Sequence, residues 1–513
     1  MEANLDGYRR IAYRIYFYLG SWILNILTMK LRVLFVAILL LAPLAPSISA
    51  TPPKAGAICS KAGITKNYKG KKYTCVKNGK KLMWNKGVAI KPTPTPTVTP
   101  IAKDSPNPDF LSVVSNKLRL DTSICKLKEV SKNRAEWPIG NGTAFPFNPT
   151  HLPIKGEINV AAIYVDWGDL QGTRKDYDFY QQQLLMFESF YWMVSEHKLK
   201  FKIFSSSDWF RIPGSSSEYT IKANEEPQFG PGGEKKQKFY DAAVSASDAS
   251  VDFKSADIVF LIIPRGKSVF ERGPHEFSFI NNAFLRTQEK DIYDIAAAGD
   301  FFLASPGQPP WVYYVHETGH MIGIPHQANE DMNKPGVALP EVLPFGGWDI
   351  MSNQMGSSRT INSWLRWYAG WLDDSQVICV TKESISDNYF ELNPINKVEG
   401  QVESLVIKIS DELALVVESR RYDPTFDLIS KNLKDGLIVY TVDARKSSAQ
   451  GSQTLLSPRD ITKYLYEENT YQFRNELDVI MSKGDVIEYK GIKIEGILTG
   501  GKSDFIRVTR TIP

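Results

Sequence analysis

The sequence predicts an α+β protein in which a small basic module precedes a mixed strand-and-helix body and a mostly-β C-terminal region. Three observations carry this reading. A Pro/Thr tract at 91–100 offers no apolar surface to bury, buried-strand text alternates with helical text between 158 and 263, and strand text repeats after Trp371. The length of 513 residues suits roughly two to four domains, and 43% hydrophobic with 12% aromatic residues excludes wholesale disorder.

Net charge is only +4, but residues 51–103 hold twelve Lys and no acidic residue, whereas residues 104–513 hold 44 basic against 55 acidic groups. A basic front on an acidic body is not a genome-binding composition, so no specific nucleic-acid partner is expected. Met29-Lys30-Leu31-Arg32, an apolar run of about 13 residues at 33–45 and Ser47-Ile48-Ser49-Ala50 read as a secretory signal, with initiation at Met29 and cleavage after Ala50. The run is shorter than the ~20 residues a bilayer requires, so no integral membrane span is expected.

The leader (1–50) gives way to the Cys-containing module (51–90), a Pro/Thr-rich linker (91–108), the body (109–375) and the β-rich region (376–513). An exported chain with four cysteines favours two disulfides, and three pairings are open to Cys59, Cys75, Cys125 and Cys379. Local closure of Cys59 on Cys75 leaves Cys125 to bridge to Cys379. The alternative, Cys125 as an inhibitory thiolate on a metal, has no supporting text around it. Gly-punctuated alternation in the module predicts a few short strands that need their staple. Its Lys residues, with Tyr68, Tyr73 and Trp84 interleaved, suit an anionic cell-surface polymer, the competing reading being a solvated spacer.

In the body, strands are expected at 158–165, 198–204 and 256–263, and helices at 177–197 and 235–249, the first with Tyr180, Leu184, Phe187 and Tyr191 at helical spacing. The tail is expected to hold strands at 404–409, 413–418, 437–442, 486–492 and 505–509.

The informative stretch is His316-Glu317-Thr318-Gly319-His320-Met321-Ile322-Gly323-Ile324-Pro325-His326. Helical text at 311–322 puts His316 and His320 on one face, four residues apart, where they can hold one metal, with Glu317 beside them. Gly323 can leave the helix with positive φ and Pro325 cannot continue it, so the chain doubles back and presents His326 as a third imidazole. Three nitrogens and one open position make a catalytic zinc arrangement; a structural site would be closed by a fourth protein ligand. Half of the six histidines fall in these eleven residues, which weighs against a helix whose histidines merely face core or solvent. His151, His197 and His275 match no motif and are expected to be structural or exposed. Asn329, Glu330 and Asp331 offer oxygen ligands for Ca²⁺, although an acidic solvated loop explains them as well.

His316-Glu317-x-x-His320-x-x-Gly323-x-x-His326 resembles the zinc signature of the metzincin metallopeptidases, and Trp348-Asp349-Ile350-Met351-Ser352 resembles their Met-turn. Gly347 to Met351, Trp364 to Trp371, Glu418 to Arg421 and Asp435 to Tyr440 resemble the immune-inhibitor-A-like secreted bacterial metallopeptidases, over roughly residues 120–445. The resemblance implies a metzincin-like domain with a mixed sheet, an active-site helix and Met351 as a floor beneath one catalytic Zn²⁺. It also implies a secreted endopeptidase acting on protein or peptide through a zinc-bound water, with Glu317 as general base. The chain departs from the immune-inhibitor-A-like pattern at His326, where those proteins often have Asp. Asn353 stands where some metzincins have Tyr, so no tyrosine transition-state donor is carried over. A surface-binding protein keeping the scaffold, or a zinc amidase or esterase, is the alternative.

Overall fold

The computed structural model describes residues 54–68, 71–89, 118–131, 142–221, 234–265, 269–270, 273–278, 284–298, 309–329, 336–395, 397, 400–465 and 477–511. The segment expected to be a secretory signal and the Pro/Thr tract lie outside them. The chain divides into two compact units, Met1–Ser105 and Pro106–Pro513.

In the first unit β1 (Thr65–Tyr68), β2 (Lys71–Asn78), β3 (Lys81–Trp84) and β4 (Val88–Ala89) form an antiparallel sheet, with β2 pairing to all three others. Cys75 stands opposite Trp84 in the register and is bonded to Cys59. Those three side chains, with Ile64, Tyr73 and Leu82 against them, make a core too small to hold the unit without its staple.

The second unit begins with a six-stranded mixed sheet. β5 (Gly156–Asp166) pairs in parallel with β6 (Leu199–Ser205), β7 (Phe210–Arg211) and β8 (Ile258–Ile262), and β9 (His275–Glu276) and β12 (Ile295–Ala296) complete it in the order β6-β5-β8-β12-β9. β12 is parallel to β8, but β9 runs antiparallel at the edge. A hairpin of β10 (Leu285–Arg286) and β11 (Asp291–Ile292) precedes β12. Helix α1 (Arg174–Val194) is started by Thr173, which exchanges hydrogen bonds with Asp176 in a capping box, and α2 (Glu234–Ser247) follows β7. The face of α1 bearing Tyr180, Leu184, Phe187 and Tyr191 is buried, as the spacing predicts, against the helix α3 (Pro310–Met321). Two short helices follow, α4 (Leu339–Val342) and α5 (Ser363–Tyr368).

Beyond α5 the described residues form strands, with short 3-10 turns at Asp374–Gln376 and Lys382–Ser384. β13 (Val377–Thr381), β15 (Ser404–Lys408), β16 (Leu413–Arg420), β17 (Gly436–Asp443) and β18 (Gln453–Leu456) form one sheet, and β14 (Asp387–Leu392), β19 (Val486–Tyr489), β20 (Ile492–Leu498) and β21 (Asp504–Arg510) a second. The single strand expected at 486–492 is therefore two. Lys490 and Gly491, with φ of 48° and 80°, make the tight positive-φ turn of a two-residue hairpin inside an otherwise continuous alternation.

Alternate residues of the five-stranded sheet face two cores. Ile378, Leu405, Leu415, Val417 and Val439 meet Phe390, Ile494 and Ile506 of the second sheet, whereas Cys379, Val406, Val416, Ile438 and Tyr440 join the core that holds α1 and α3. Burial on both faces explains the near-continuous apolar text of these strands. One hydrophobic core therefore runs through the body and the β-rich region alike. Cys125 is bonded to Cys379 on β13, and the backbone N–H of Leu120 donates to the Cys379 carbonyl (2.8 Å). Closing a loop this long constrains the unfolded chain by roughly 5 kcal/mol in the chain-entropy treatment. No helix among the described residues is long and apolar enough to cross a membrane.

Candidate metal centre

Helix α3 has Pro310 at its first position, where a missing N–H costs nothing, and all twelve of its residues are buried. It is a core helix. Tyr314 stacks on Phe260 of β8 (4.3 Å between centroids) and the Tyr191 hydroxyl of α1 donates to the Val315 carbonyl (2.6 Å), so the helix is fixed from two sides. At its end Gly323, with φ of 92°, turns the chain out. The Ile324 N–H then donates to the Gly319 carbonyl (2.8 Å), and a Cβ on Gly323 would come 3.0 Å from the Asn148 carbonyl.

This turn brings His326 back against the helix. His316, His320 and His326 offer ligand atoms all within 4.8 Å of one another, with the Nε2 atoms of His316 and His320 3.1 Å apart. Two nitrogens at 2.0–2.1 Å from one tetrahedral ion lie ~3.3 Å apart, so the spacing fits zinc. The Nδ1 of His316 donates to the Ile350 carbonyl (2.7 Å) and that of His320 to the Ile324 carbonyl (3.0 Å), which leaves each Nε2 with its lone pair directed at the common point. Among the described residues this is the one cluster of His, Cys, Asp and Glu able to hold a metal.

Burial governs the electrostatics. It lowers His316 to about 4 and His326 to about 3, and holds His320 well below its ordinary value, so all three imidazoles are neutral at physiological pH and can ligate without first losing a proton. Glu317 is pushed up to about 8 by burial alone, and a divalent cation beside it would act in the opposite direction. His275 is lowered to about 3, again mainly by burial. In the metal-free protein these four imidazoles are neutral when folded, whereas the unfolded chain takes up their protons below pH ~6.5. Their contribution to stability is thus full above about 6.5 and is lost as pH falls toward 4. Glu317, with a raised value, works in the opposite sense between about 4.5 and 8, and so do the buried carboxyls of Asp349 and Asp427, each raised to about 6, and of Glu403, raised well above its ordinary value. In the presence of a chelator the wild type is expected to lose more of its thermal midpoint between pH 7 and pH 4 than His275→Gln, which keeps those carboxyls and has one imidazole fewer; an equal loss would contradict neutral burial of His275.

The segment resembling a Met-turn lies under the helix. Met351 is fully buried, and a Cβ on Gly319 would meet its Sδ at 2.5 Å, so only glycine permits this approach of sulfur to helix. The Asp349 carboxylate accepts from the Met351 N–H (2.7 Å) and from the backbone and side chain of Asn362 (both 2.8 Å). The Met351 carbonyl in turn accepts from the Gln327 N–H (3.0 Å), next to the third imidazole.

His326 is also held from the β-rich region. Its backbone N–H donates to Ser448 Oγ and the Ala449 N–H donates to its carbonyl, each at 3.0 Å; the Gly451 N–H donates to the Ala328 carbonyl (3.0 Å). Of the oxygen residues considered for calcium, Asn329 bridges in backbone register to Gln450, and positions 330 and 331 lie outside the described residues.

His275, expected to be structural or exposed, is largely buried beside Glu317. It projects from edge strand β9 with Nδ1 3.9 Å from Glu317 Oε2 and 3.3 Å from the Tyr313 hydroxyl, which itself donates to the Gly273 carbonyl (2.7 Å). Phe277, two residues on, sets its ring edge-to-face with His320 (5.9 Å). A two-residue strand has no periodicity to detect, but Tyr313 stands four before Glu317 on the same helical face. His151 pairs with buried Asp294 (3.1 Å) and meets Ser278 Oγ (2.8 Å), and His197 stacks on Trp192 (4.5 Å), both as local contacts.

No family model matches the chain, and no curated protein matches it. Among solved structures, wild-type OgpA from Akkermansia muciniphila is 10% identical, with an alignment covering 70% of this chain and 95% of that chain at a TM-score of 0.23. A likeness this distant does not bear on fold or chemistry.

Proposed function

We propose that the protein is a secreted zinc-dependent endopeptidase of the metzincin type. The observation that supports this most is the convergence of three neutral imidazoles from a helix and its following turn, with Glu317 buried beside them. The donor set suits zinc, since three nitrogens and no thiolate are the ligands of a hydrolytic rather than a closed structural site. Zinc bound there supplies Lewis acidity, lowering the pKa of a water toward neutrality and polarising a carbonyl. Glu317 takes the proton of the attacking water and passes it to the departing amine nitrogen, so one carboxylate serves both halves of peptide hydrolysis. The Ile350 and Ile324 carbonyls keep two imidazoles in the ligating tautomer, and His275, packed between Tyr313 and Glu317, limits where the carboxylate can swing. Two disulfides fit an oxidising compartment.

The direct test is hydrolysis of a denatured protein by the purified chain with and without a chelator; cleavage that persists after chelation and verified metal loss rejects the reading. For His275, the Gln variant is expected to keep its zinc and its KM while kcat falls roughly 10-fold, the usual effect of removing a group that orients a metal-site residue. Unchanged kcat removes His275 from the site.

A further inference from the structure

We propose that residues 54–89 form a docking unit for a flexible polyanion, a phosphate- or carboxylate-bearing polymer outside the cell. Eight lysines of this unit have described side chains, Lys54, Lys61, Lys71, Lys72, Lys77, Lys80, Lys81 and Lys86, and every one is exposed. Residues 51–103 contain no Asp or Glu, so the unit carries no acidic group of its own to neutralise them.

Their placement decides the kind of partner. On β2, Lys71 and Lys77 share the face of Cys75, and Lys72 lies on the opposite face; Lys61, Lys80 and Lys86 occupy turns. The charge surrounds the sheet instead of lying in one plane, which suits a chain that can wrap it better than a flat bilayer. The two aromatic residues with described side chains do not favour nucleic acid. Trp84 is buried against the Cys59–Cys75 bridge and Tyr73 packs on the same cluster, so neither offers the open ring on which bases stack. A spacer that only needed solubility would mix both signs. A single sign in a unit with so small a core opposes its own folding by self-repulsion, and binding a polyanion relieves that repulsion.

The test uses the full chain on immobilised heparin and long-chain polyphosphate, compared with a variant carrying Lys61→Glu, Lys72→Glu, Lys77→Glu and Lys81→Glu. Retention of the wild type on both is expected, weakening ~100-fold between 50 and 200 mM salt if about four contacts release counterions. The variant should lose retention yet keep the Cys59–Cys75 bridge and its hydrolysis of a soluble denatured protein. No retention at 50 mM salt, salt-independent retention, or equal retention of the variant leaves the unit a spacer. Tighter binding to phosphatidylglycerol vesicles, abolished by Ile58→Ser at that exposed position, or tighter binding to single-stranded DNA, likewise overturns the assignment.

Discussion

Glu317→Gln is expected to keep its zinc and lose at least ~100-fold in turnover, the scale on which a positioned general base acts. The amide fills the same volume in a buried position and can still accept a hydrogen bond, but it cannot hold a proton in transit. None of the three imidazoles is touched by the change. Loss of activity with full metal content therefore separates proton transfer from metal binding, and a Gln variant that turned over like the wild type would remove Glu317 from the mechanism and with it the peptidase reading.

His326→Ala should act on the metal itself. Two imidazoles from one helix remain, and zinc affinity is expected to fall by more than the ~10- to 100-fold typical of losing a supporting hydrogen bond. Elemental analysis after dialysis against a weak chelator reads this directly. Ser448→Ala, which withdraws only the acceptor of the His326 N–H, should fall within that smaller range. Undiminished zinc in His326→Ala would leave a two-histidine site and reject the third-ligand assignment.

The order of these effects follows how the site is encoded. His316, Glu317 and His320 are legible because one helical turn sets their geometry, and Gly323 and Pro325 announce the turn that returns His326. The Cys125–Cys379 pairing is readable because the other two cysteines share one small module. His275 is not readable: an edge strand two residues long approaches Glu317 only through the pairing of β12 with both β8 and β9. Ser448 and Ala449 are equally silent, since both meet the His326 backbone, and a contact to backbone from 122 residues away leaves no mark on the pattern around it. The tail was legible as β, but the hairpin at Lys490-Gly491 hid in continuous alternation, and nothing local told which face of each strand would meet the helix core.

The hold on His326 by Ser448 and Ala449 sets an order of assembly. A chain made from its N-terminus presents all three imidazoles more than a hundred residues before the segment that fixes the third of them arrives. If the chain is the exported peptidase proposed above, this delay separates translocation from activity, because the contacts on His326 and Ala328 form only once the chain through Gly451 has crossed. A nascent or prematurely ended chain that stops short of Ser448 carries the three histidines without the contact that holds the third.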